Sequence, residues 1–210
     1  MRIAIPIFEA ITALDAVGPY EVLSRLPDAE VVFVAQAPGP KRTENGMLAL
    51  TADASLSDVP DPEVIVVPGG FGTRALMTDE AMLSWLRSAH ATSTWTTSVC
   101  TGSLLLAAAG LLAGRRAACH WAWRDSLSEF GVTPDPARVV RDGNVITGGG
   151  VTAGIDMALT VMAEIAGPDY AQTVQLAIEY APAPPFDSGS VAKAPPEIVE
   201  LVRARRSRLA

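Results

Sequence analysis

Short strand-like runs alternate with helix-like runs along most of this chain, and this alternation constrains the fold more than any other feature of the sequence. Residues 2–7 and 31–35 have strand patterns on either side of a helix pattern over 13–26. A strand pattern over 93–99 leads directly into an Ala- and Leu-rich helix over 101–112. Such units build a mainly parallel sheet with helices on both faces. The sequence therefore predicts an α/β fold.

Later segments continue the pattern and add turns. The dipeptides Asn45-Gly46 and Asp142-Gly143 each favour a two-residue hairpin turn, and we expect the first hairpin to lie at an edge of the sheet. Helices are predicted over 121–130, 152–166 and 168–180.

The length and apolar content favour one folded domain over the whole chain, residues 1–210. A Pro-rich stretch at 181–186 leaves too few residues behind it for a second domain. We therefore expect residues 181–210 to form a C-terminal segment and helix that wrap the surface or pack on a partner subunit.

Charge and hydropathy exclude two classes of partner. The formal net charge is -7, so the molecule repels a phosphate backbone, and we expect no nucleic-acid partner. The longest apolar stretches reach roughly ten residues, about half of what a bilayer-spanning helix needs, so no membrane partner is expected. The N-terminus lacks the pattern of a signal peptide, which favours a cytoplasmic protein.

Cys100 is the sharpest candidate for chemistry, because it stands where a strand gives way to a helix with no loop between them. At such an elbow a side chain projects from a tight turn, and Gly102 permits close packing of the helix on the sheet. The positive end of the helix dipole predicts a lowered thiol pKa. The alternative is a buried, inert cysteine, which is the interpretation we favour for Cys119.

Other candidates follow the neighbouring strands, whose carboxyl ends collect ligands in open α/β sheets. Gly69 and Gly70 follow the strand over 64–67 and are candidate oxyanion donors or a simple turn. Gly150 and Val151 form either a wall of the site or simply a turn, made possible by glycine, that leads into the next helix. Asp15 follows the first strand and is either a general acid/base or a helix N-cap.

His120 is either a core imidazole or a site residue, and it belongs to no set with the spacing of metal ligands. The sequence therefore predicts no metal.

These residues lie in longer motifs, which are LDAVGPYEVL at 14–23, VPGG at 67–70, SVCTG at 98–102, LLAGRR at 111–116, GGVTAGID at 149–156, QLAIEY at 175–180 and PPFDSGS at 184–190. With these motifs the chain resembles the ThiJ/PfpI superfamily over nearly its whole length, and most closely the isocyanide hydratase group. The resemblance implies a flavodoxin-like fold of the class I glutamine amidotransferase type, with its cysteine at a nucleophile elbow.

The resemblance also implies an activity: a homodimeric lyase, needing no cofactor, that adds water to an isocyanide and gives an N-substituted formamide. Cys100 would attack the isocyanide carbon and form a thioimidate, and Asp15 would deliver and receive protons. Thr101 and the Gly70 backbone would position the thiolate and the intermediate.

Two other functions stay open. Glyoxalase-like relatives carry a histidine some twenty residues after the cysteine, where this chain has His120, so a 2-oxoaldehyde activity through Cys100 and His120 is an alternative. A non-enzymatic redox sensor or small-molecule-binding protein using Cys100 is the second alternative.

Two further functions of the superfamily are disfavoured. Thr101 replaces the histidine that follows the cysteine in protease-like members, which disfavours peptidase activity. Regulators of the AraC type share much of the patterning but add a DNA-binding domain, for which we expect no room in this chain.

Overall fold

The computed structural model of this chain describes residues 1–208. The predicted α/β fold is confirmed: a seven-stranded sheet has the order β10-β11-β7-β6-β1-β2-β5, and only β10 runs antiparallel to its neighbour. The strands are β1 (Arg2–Pro6), β2 (Glu30–Ala35), β3 (Gly39–Arg42), β4 (Ala49–Ala52), β5 (Ala54–Ser55), β6 (Val64–Val67), β7 (Trp95–Val99), β8 (Arg116–Ala117), β9 (Thr133–Pro134), β10 (Val139–Asp142) and β11 (Val145–Gly148).

Two groups of helices pack on this sheet. One group contains α1, α5 and α6, and the other contains α2, α3 and α4. The helices are α1 (Ala13–Leu23), α2 (Thr73–Leu76), α3 (Glu80–Thr92), α4 (Gly102–Ala108), α5 (Ala153–Ala166), α6 (Pro168–Ala177) and α7 (Pro196–Arg208).

The centre of the sheet holds the apolar core. All four residues of β6 are fully buried, as a strand covered on both faces requires. Strand β6 pairs with β1 on one side and β7 on the other, and Val67 lies beside Ser98 in the register. The segments that follow β6 and β7 therefore leave the sheet at the same edge, which brings the Gly69 turn to the cysteine turn.

Some element boundaries differ from the predictions. Helix α4 ends at Ala108 because the chain turns through Gly110 and Gly114, both at positive φ. The predicted helix over 121–130 is a 3-10 helix, Arg124–Phe130, which Gly131 closes in a left-handed conformation. The hairpin containing Asn45 forms, but β3 and β4 make a separate two-stranded sheet rather than an edge of the main one.

The C-terminal part has no regular structure between α6 and α7 apart from turns, and most of its side chains face outward. Phe186 is 78% exposed, whereas Val199 of α7 is buried. The guanidinium group of Arg203 lies 6.0 Å from the centre of the Trp121 ring. The last two residues of the predicted 181–210 segment lie outside the described residues. Among residues 1–208, none of the helices is long and apolar enough to span a membrane.

Candidate active site

Cys100 occupies the predicted elbow between β7 and α4. Its backbone adopts a φ of 60°, in the left-handed region that non-glycine residues rarely enter. The Cys100 N–H donates to the carbonyl of Gly149 at 2.7 Å, and the Cys100 carbonyl accepts from the N–H of His120 at 3.3 Å. The residue is 5% exposed and lines a cavity. The turn therefore holds the sulfur at the end of a rigid strand, where it reaches a small ligand.

Gly102 explains how the helix can start so close to the sheet. A Cβ atom at this position would lie 2.1 Å from the carbonyl oxygen of Val67. Only glycine fits this approach, as the sequence predicted.

Asp15 lies in the first turn of α1, and its side chain is fully buried. The N-cap of α1 is Thr12, so the interpretation of Asp15 as a cap is wrong. The Gly69 N–H donates to Asp15 Oδ2 at 2.9 Å. Asp15 Oδ1 is also buried and has no hydrogen-bond partner within residues 1–208. One carboxyl oxygen is thus anchored to the backbone, and the other keeps its capacity to accept a hydrogen bond.

Burial dominates the titration of Asp15. Loss of hydration raises its pKa from 3.8 to about 7. The Gly69 N–H and the Cys100 thiol lower the pKa, and the charge of Glu44 raises it. A carboxyl group with a pKa near neutrality suits both donation and acceptance of a proton.

The predicted lowering of the Cys100 pKa is wrong. Burial and the negative charge of Asp15 raise the pKa of this thiol well above its ordinary value. The N–H groups of Val151 and Thr101 donate to the sulfur and lower the pKa, but they do not offset the burial. The helix that follows is only seven residues long, so its dipole does little to lower the pKa of the thiol. The resting residue is therefore a thiol beside a carboxyl group that can take its proton.

Thr101 joins the cysteine turn to the Gly69-Gly70 turn, which forms one wall of the site. Its Oγ1 accepts the Gly70 N–H at 3.0 Å and lies 3.3 Å from the hydroxyl of Thr73, which donates to the Gly70 carbonyl at 2.7 Å. The Gly69 N–H is likewise engaged, by Asp15. Both glycine N–H groups are therefore bonded to site side chains and position Asp15 and Thr101, and their role as oxyanion donors stays a prediction.

Glycine is required at both positions of this turn. A Cβ atom on Gly69 would lie 2.6 Å from the Thr101 nitrogen, and Gly70 has a φ of 130°. Larger residues would push the two walls of the site apart.

Gly150 and Val151 form a third wall at the start of α5. Val151 lines the cavity and directs its N–H to the Cys100 sulfur. A Cβ atom on Gly150 would lie 3.1 Å from the ring of His120, so glycine allows these two segments to approach each other.

His120 also lines the cavity, as one of its two interpretations requires. Its Nδ1 accepts the Ala122 N–H at 3.2 Å, and its ring stacks on Trp121 with a centroid separation of 5.8 Å. The imidazole is thus tethered to its own loop. Cys119, by contrast, is buried and free of any disulfide, and burial raises its pKa to about 11.

The cavity has a volume of about 290 Å³ and a largely apolar wall with a few charged groups. No group of three or more potential metal-ligating His, Cys, Asp or Glu residues occurs among residues 1–208. The cavity is lined by Thr12, Glu44, Gly70, Phe71, Thr73, Arg74, Met77, Cys100, Thr101, Leu104, His120, Trp123, Ser126, Glu129, Phe130 and Val151.

Comparison with known proteins shows which family this chain belongs to. The profile of the DJ-1/PfpI family matches residues 1–164, which include the elbow and all three walls. The chain belongs to the DJ-1/PfpI family. A family member of known structure, a ThiJ/PfpI protein from Pseudomonas syringae, superposes with a TM-score of 0.95 at 40% identity and covers 99% of this chain and 86% of that one.

Two curated relatives differ in what they do. The isonitrile hydratase of Pseudomonas putida is 50% identical over 205 residues, covering 98% of this chain and 90% of its own length. The transcriptional regulator CdhR of Pseudomonas aeruginosa is 34% identical over 81% of this chain, but the match spans only 51% of that regulator.

Several residues of this DJ-1/PfpI site could not be predicted from the sequence. Glu44 comes from the hairpin loop, and its carboxylate accepts the hydroxyl of Thr12 at 3.1 Å. The Arg74 guanidinium group lies 4.3 Å from the centre of the Trp123 ring and 5.7 Å from that of Phe71. Glu44 comes from a turn and Arg74 from the four-residue helix α2, and neither segment is long enough to show a periodic pattern.

Proposed function

We propose that this chain is an isocyanide hydratase, a lyase that adds water to R–NC and gives the N-substituted formamide R–NH–CHO. The single observation that carries this function is the 50% identity to an isonitrile hydratase over 98% of the chain. The site supports it, because Cys100 lines a small, largely apolar cavity and the buried carboxyl group of Asp15, with a pKa of about 7, lies against its thiol.

The first half of the reaction forms a covalent adduct. The carboxylate of Asp15 takes the proton of the Cys100 thiol as the sulfur attacks the terminal carbon of the isocyanide. The S–C bond forms, and the carbon lone pair that develops takes that proton back from Asp15. The product is the thioimidate R–N=CH–S–Cys100, and Asp15 returns to its carboxylate form.

The second half releases the product. Asp15 accepts a proton from water as the water oxygen adds to the thioimidate carbon, and it passes this proton to the substrate nitrogen. As the tetrahedral intermediate collapses, the S–C bond breaks, the hydroxyl proton passes through Asp15 to the Cys100 sulfur, and R–NH–CHO is left. The overall reaction consumes one isocyanide and one water and needs no electron donor or acceptor.

The remaining residues hold these two groups in place. Thr101, fixed by the Gly70 N–H, and Val151 place backbone N–H groups on the sulfur. These donors stabilise the thiolate when it leaves the thioimidate. Gly69 anchors one oxygen of Asp15, and we assign the proton transfers to the other oxygen.

The test is a panel of alkyl and aryl isocyanides and 2-oxoaldehydes, with product identification by NMR. We expect formamides from the isocyanides. Cys100→Ala should abolish turnover, because no adduct can form, and Asp15→Asn should slow it by about 10²–10⁴-fold, a typical loss for a general acid/base. Cys119→Ala is the matched control, because this buried cysteine lies outside the cavity lining, and it should retain activity.

A glyoxalase-like activity is the second candidate, because His120 lines the same cavity as Cys100. In the hydratase mechanism His120 moves no proton, so His120→Ala should have little effect on isocyanide turnover. Turnover of 2-oxoaldehydes alone, with His120 essential, would replace the hydratase proposal. Reversible oxidation of Cys100 with no turnover of either class would favour a sensor instead.

We further propose that the enzyme acts as a cytoplasmic homodimer that needs no metal or cofactor. The exposed Phe186 and the outward-facing segment around it support a partner surface. Light scattering tests the assembly, and a species of 22.0 kDa at micromolar concentration would contradict it. Unchanged turnover after chelation tests the independence from metals.

A further inference from the structure

A polar cluster behind the active site joins three segments that are distant in sequence. Asp156 Oδ2 accepts hydrogen bonds from Arg138 Nε at 2.9 Å, from Arg138 Nη2 at 2.6 Å and from the Tyr180 hydroxyl at 3.0 Å. Arg138 precedes β10, Asp156 lies in the first turn of α5, and Tyr180 follows α6. We name these three residues the α5 clamp.

Arg138 also forms hydrogen bonds to the turn that leads into α5. Its carbonyl accepts the Gly149 N–H at 2.8 Å, and its Nη2 donates to the hydroxyl of Thr152 at 3.2 Å. One residue thus bonds to both sides of the turn 149–152, through its backbone on one side and its side chain on the other.

The same turn touches Cys100 twice. The Gly149 carbonyl accepts the Cys100 N–H at 2.7 Å, and the Val151 N–H donates to the Cys100 sulfur. Any displacement of the turn therefore changes both the backbone of the elbow and a donor to the reacting atom.

We propose that the α5 clamp is a positioning device for the active site: Arg138, Asp156 and Tyr180 hold the turn 149–152 so that the Val151 N–H stays on the Cys100 sulfur. None of the three residues lines the cavity, so they act through the turn and not on the substrate. Tyr180 immediately precedes the C-terminal segment 181–210, so the clamp also fixes the point from which that segment leaves α6.

The effect should be local rather than global. The side chains of Arg138 and Asp156 are 50% and 33% exposed, and partly exposed ion pairs contribute little to overall stability. The alignment of a donor on a reacting atom is far more sensitive, because small displacements in an active site produce large losses of rate.

The chain offers a closely matched control. Arg141, in β10, forms an ion pair with Glu164 of α5, and these side chains are 49% and 33% exposed. This pair joins the same two regions of the chain but makes no bond to the turn 149–152. Arg138→Met and Arg141→Met therefore remove comparable ion pairs, and only the first belongs to the clamp.

Amide hydrogen exchange of the peptide 148–156 tests the proposal without any substrate. We expect Arg138→Met to raise the exchange rate of this peptide by at least about tenfold, because charge-assisted bonds are lost there. Tyr180→Phe should give a smaller increase. Arg141→Met should leave the peptide unchanged, and urea unfolding should give similar midpoints for both arginine variants.

Kinetics test the link to catalysis, and this part rests on the proposed hydratase function. Arg138→Met should lower kcat about tenfold with KM within about twofold, since only the alignment of the reacting groups changes. Arg138→Lys, which keeps the charge, should recover part of the loss.

Equal exchange in the Arg138→Met and Arg141→Met variants would overturn the clamp. Faster exchange with unchanged kcat would overturn its role in positioning Cys100. If the wild-type chain hydrates no isocyanide, the proposed function fails, and the exchange comparison still decides whether the clamp holds the turn.

Discussion

The negative charge of Asp15 raises the pKa of the Cys100 thiol, so the two buried groups resist being ionised together. Asp15 itself has a pKa of about 7, which places its titration at the working pH of most enzymes. Near neutral pH the resting pair is thus a neutral Cys100 thiol and an Asp15 carboxyl group that exchanges between its protonated and ionised forms. Attack by sulfur and transfer of the proton are coupled as a result, and the site needs no permanently charged nucleophile.

Alkylation of Cys100 should report this coupling. We expect the rate of reaction with iodoacetamide to rise with pH only above the range of an ordinary thiol, because burial and Asp15 raise the pKa. Asp15→Asn removes the charge and lowers the pKa of Cys100, so the rise of the alkylation rate should move to lower pH. This variant should therefore lose turnover although its thiol ionises more readily. An unchanged pH dependence of alkylation in Asp15→Asn would contradict the effect of the Asp15 charge on the thiol.

Stability should also depend on Asp15. Between pH 4 and 7 the native carboxyl group holds a proton that the unfolded chain has released, so the contribution of this group to the unfolding free energy falls as pH rises. The slope is at most about 1.4 kcal/mol per pH unit, and the total is about 3–5 kcal/mol. Asp15→Asn should lose this slope in urea unfolding at a series of pH values.

The control for this measurement is Asp53→Asn, which removes an exposed carboxyl group. It should keep the wild-type slope between pH 4 and 7. A parallel pH dependence of the wild type and Asp15→Asn would show that burial of Asp15 is not linked to folding.

Gly102 should not tolerate even one added carbon. In Gly102→Ala the new methyl group would collide with the carbonyl of Val67, and we expect a loss of about 3 kcal/mol in unfolding free energy. Gly189→Ala is the control, since no atom lies within 4 Å of a Cβ atom at that site. Similar unfolding midpoints for the two variants would mean that the helix can move away from the sheet at little cost.

Thr101 should be needed for its oxygen. Thr101→Val keeps the shape but leaves the buried Gly70 N–H without its acceptor, which costs about 1–3 kcal/mol. Thr101→Ser keeps the oxygen and should stay close to the wild type in both stability and turnover. Thermal unfolding of the two variants gives the comparison. Equal melting temperatures would show that the Thr101 oxygen is not needed as an acceptor for the Gly70 N–H.

The sequence located the reacting residues because parallel strands end at one edge of the sheet. Cys100 follows β7, the Gly69 turn follows β6, and these strands are neighbours, so strand order alone predicts their meeting. The pKa of Cys100 was not predictable in the same way. It depends on burial and on the distance to Asp15, and neither quantity is encoded in a local pattern.

The acceptors of the Gly69 and Gly70 N–H groups could not be predicted from the sequence either. A Gly-Gly turn indicates close backbone approach but does not say to what. The structure shows that Gly69 and Gly70 donate to Asp15 and Thr101, whose positions come from other segments of the chain. Residues that join the site from turns or from a very short helix, such as Arg74 in α2, have no periodic signal in the sequence.

The left-handed backbone at Cys100 has a consequence for how this chain can change over generations. A side chain at a φ of 60° is disfavoured by about 1 kcal/mol relative to glycine, so folding stability alone would select glycine at this turn. The cysteine is retained there only while its sulfur is useful. A lineage released from that requirement would gain stability by losing the thiol, and a glycine at the elbow would mark a descendant that had abandoned the chemistry but kept the fold.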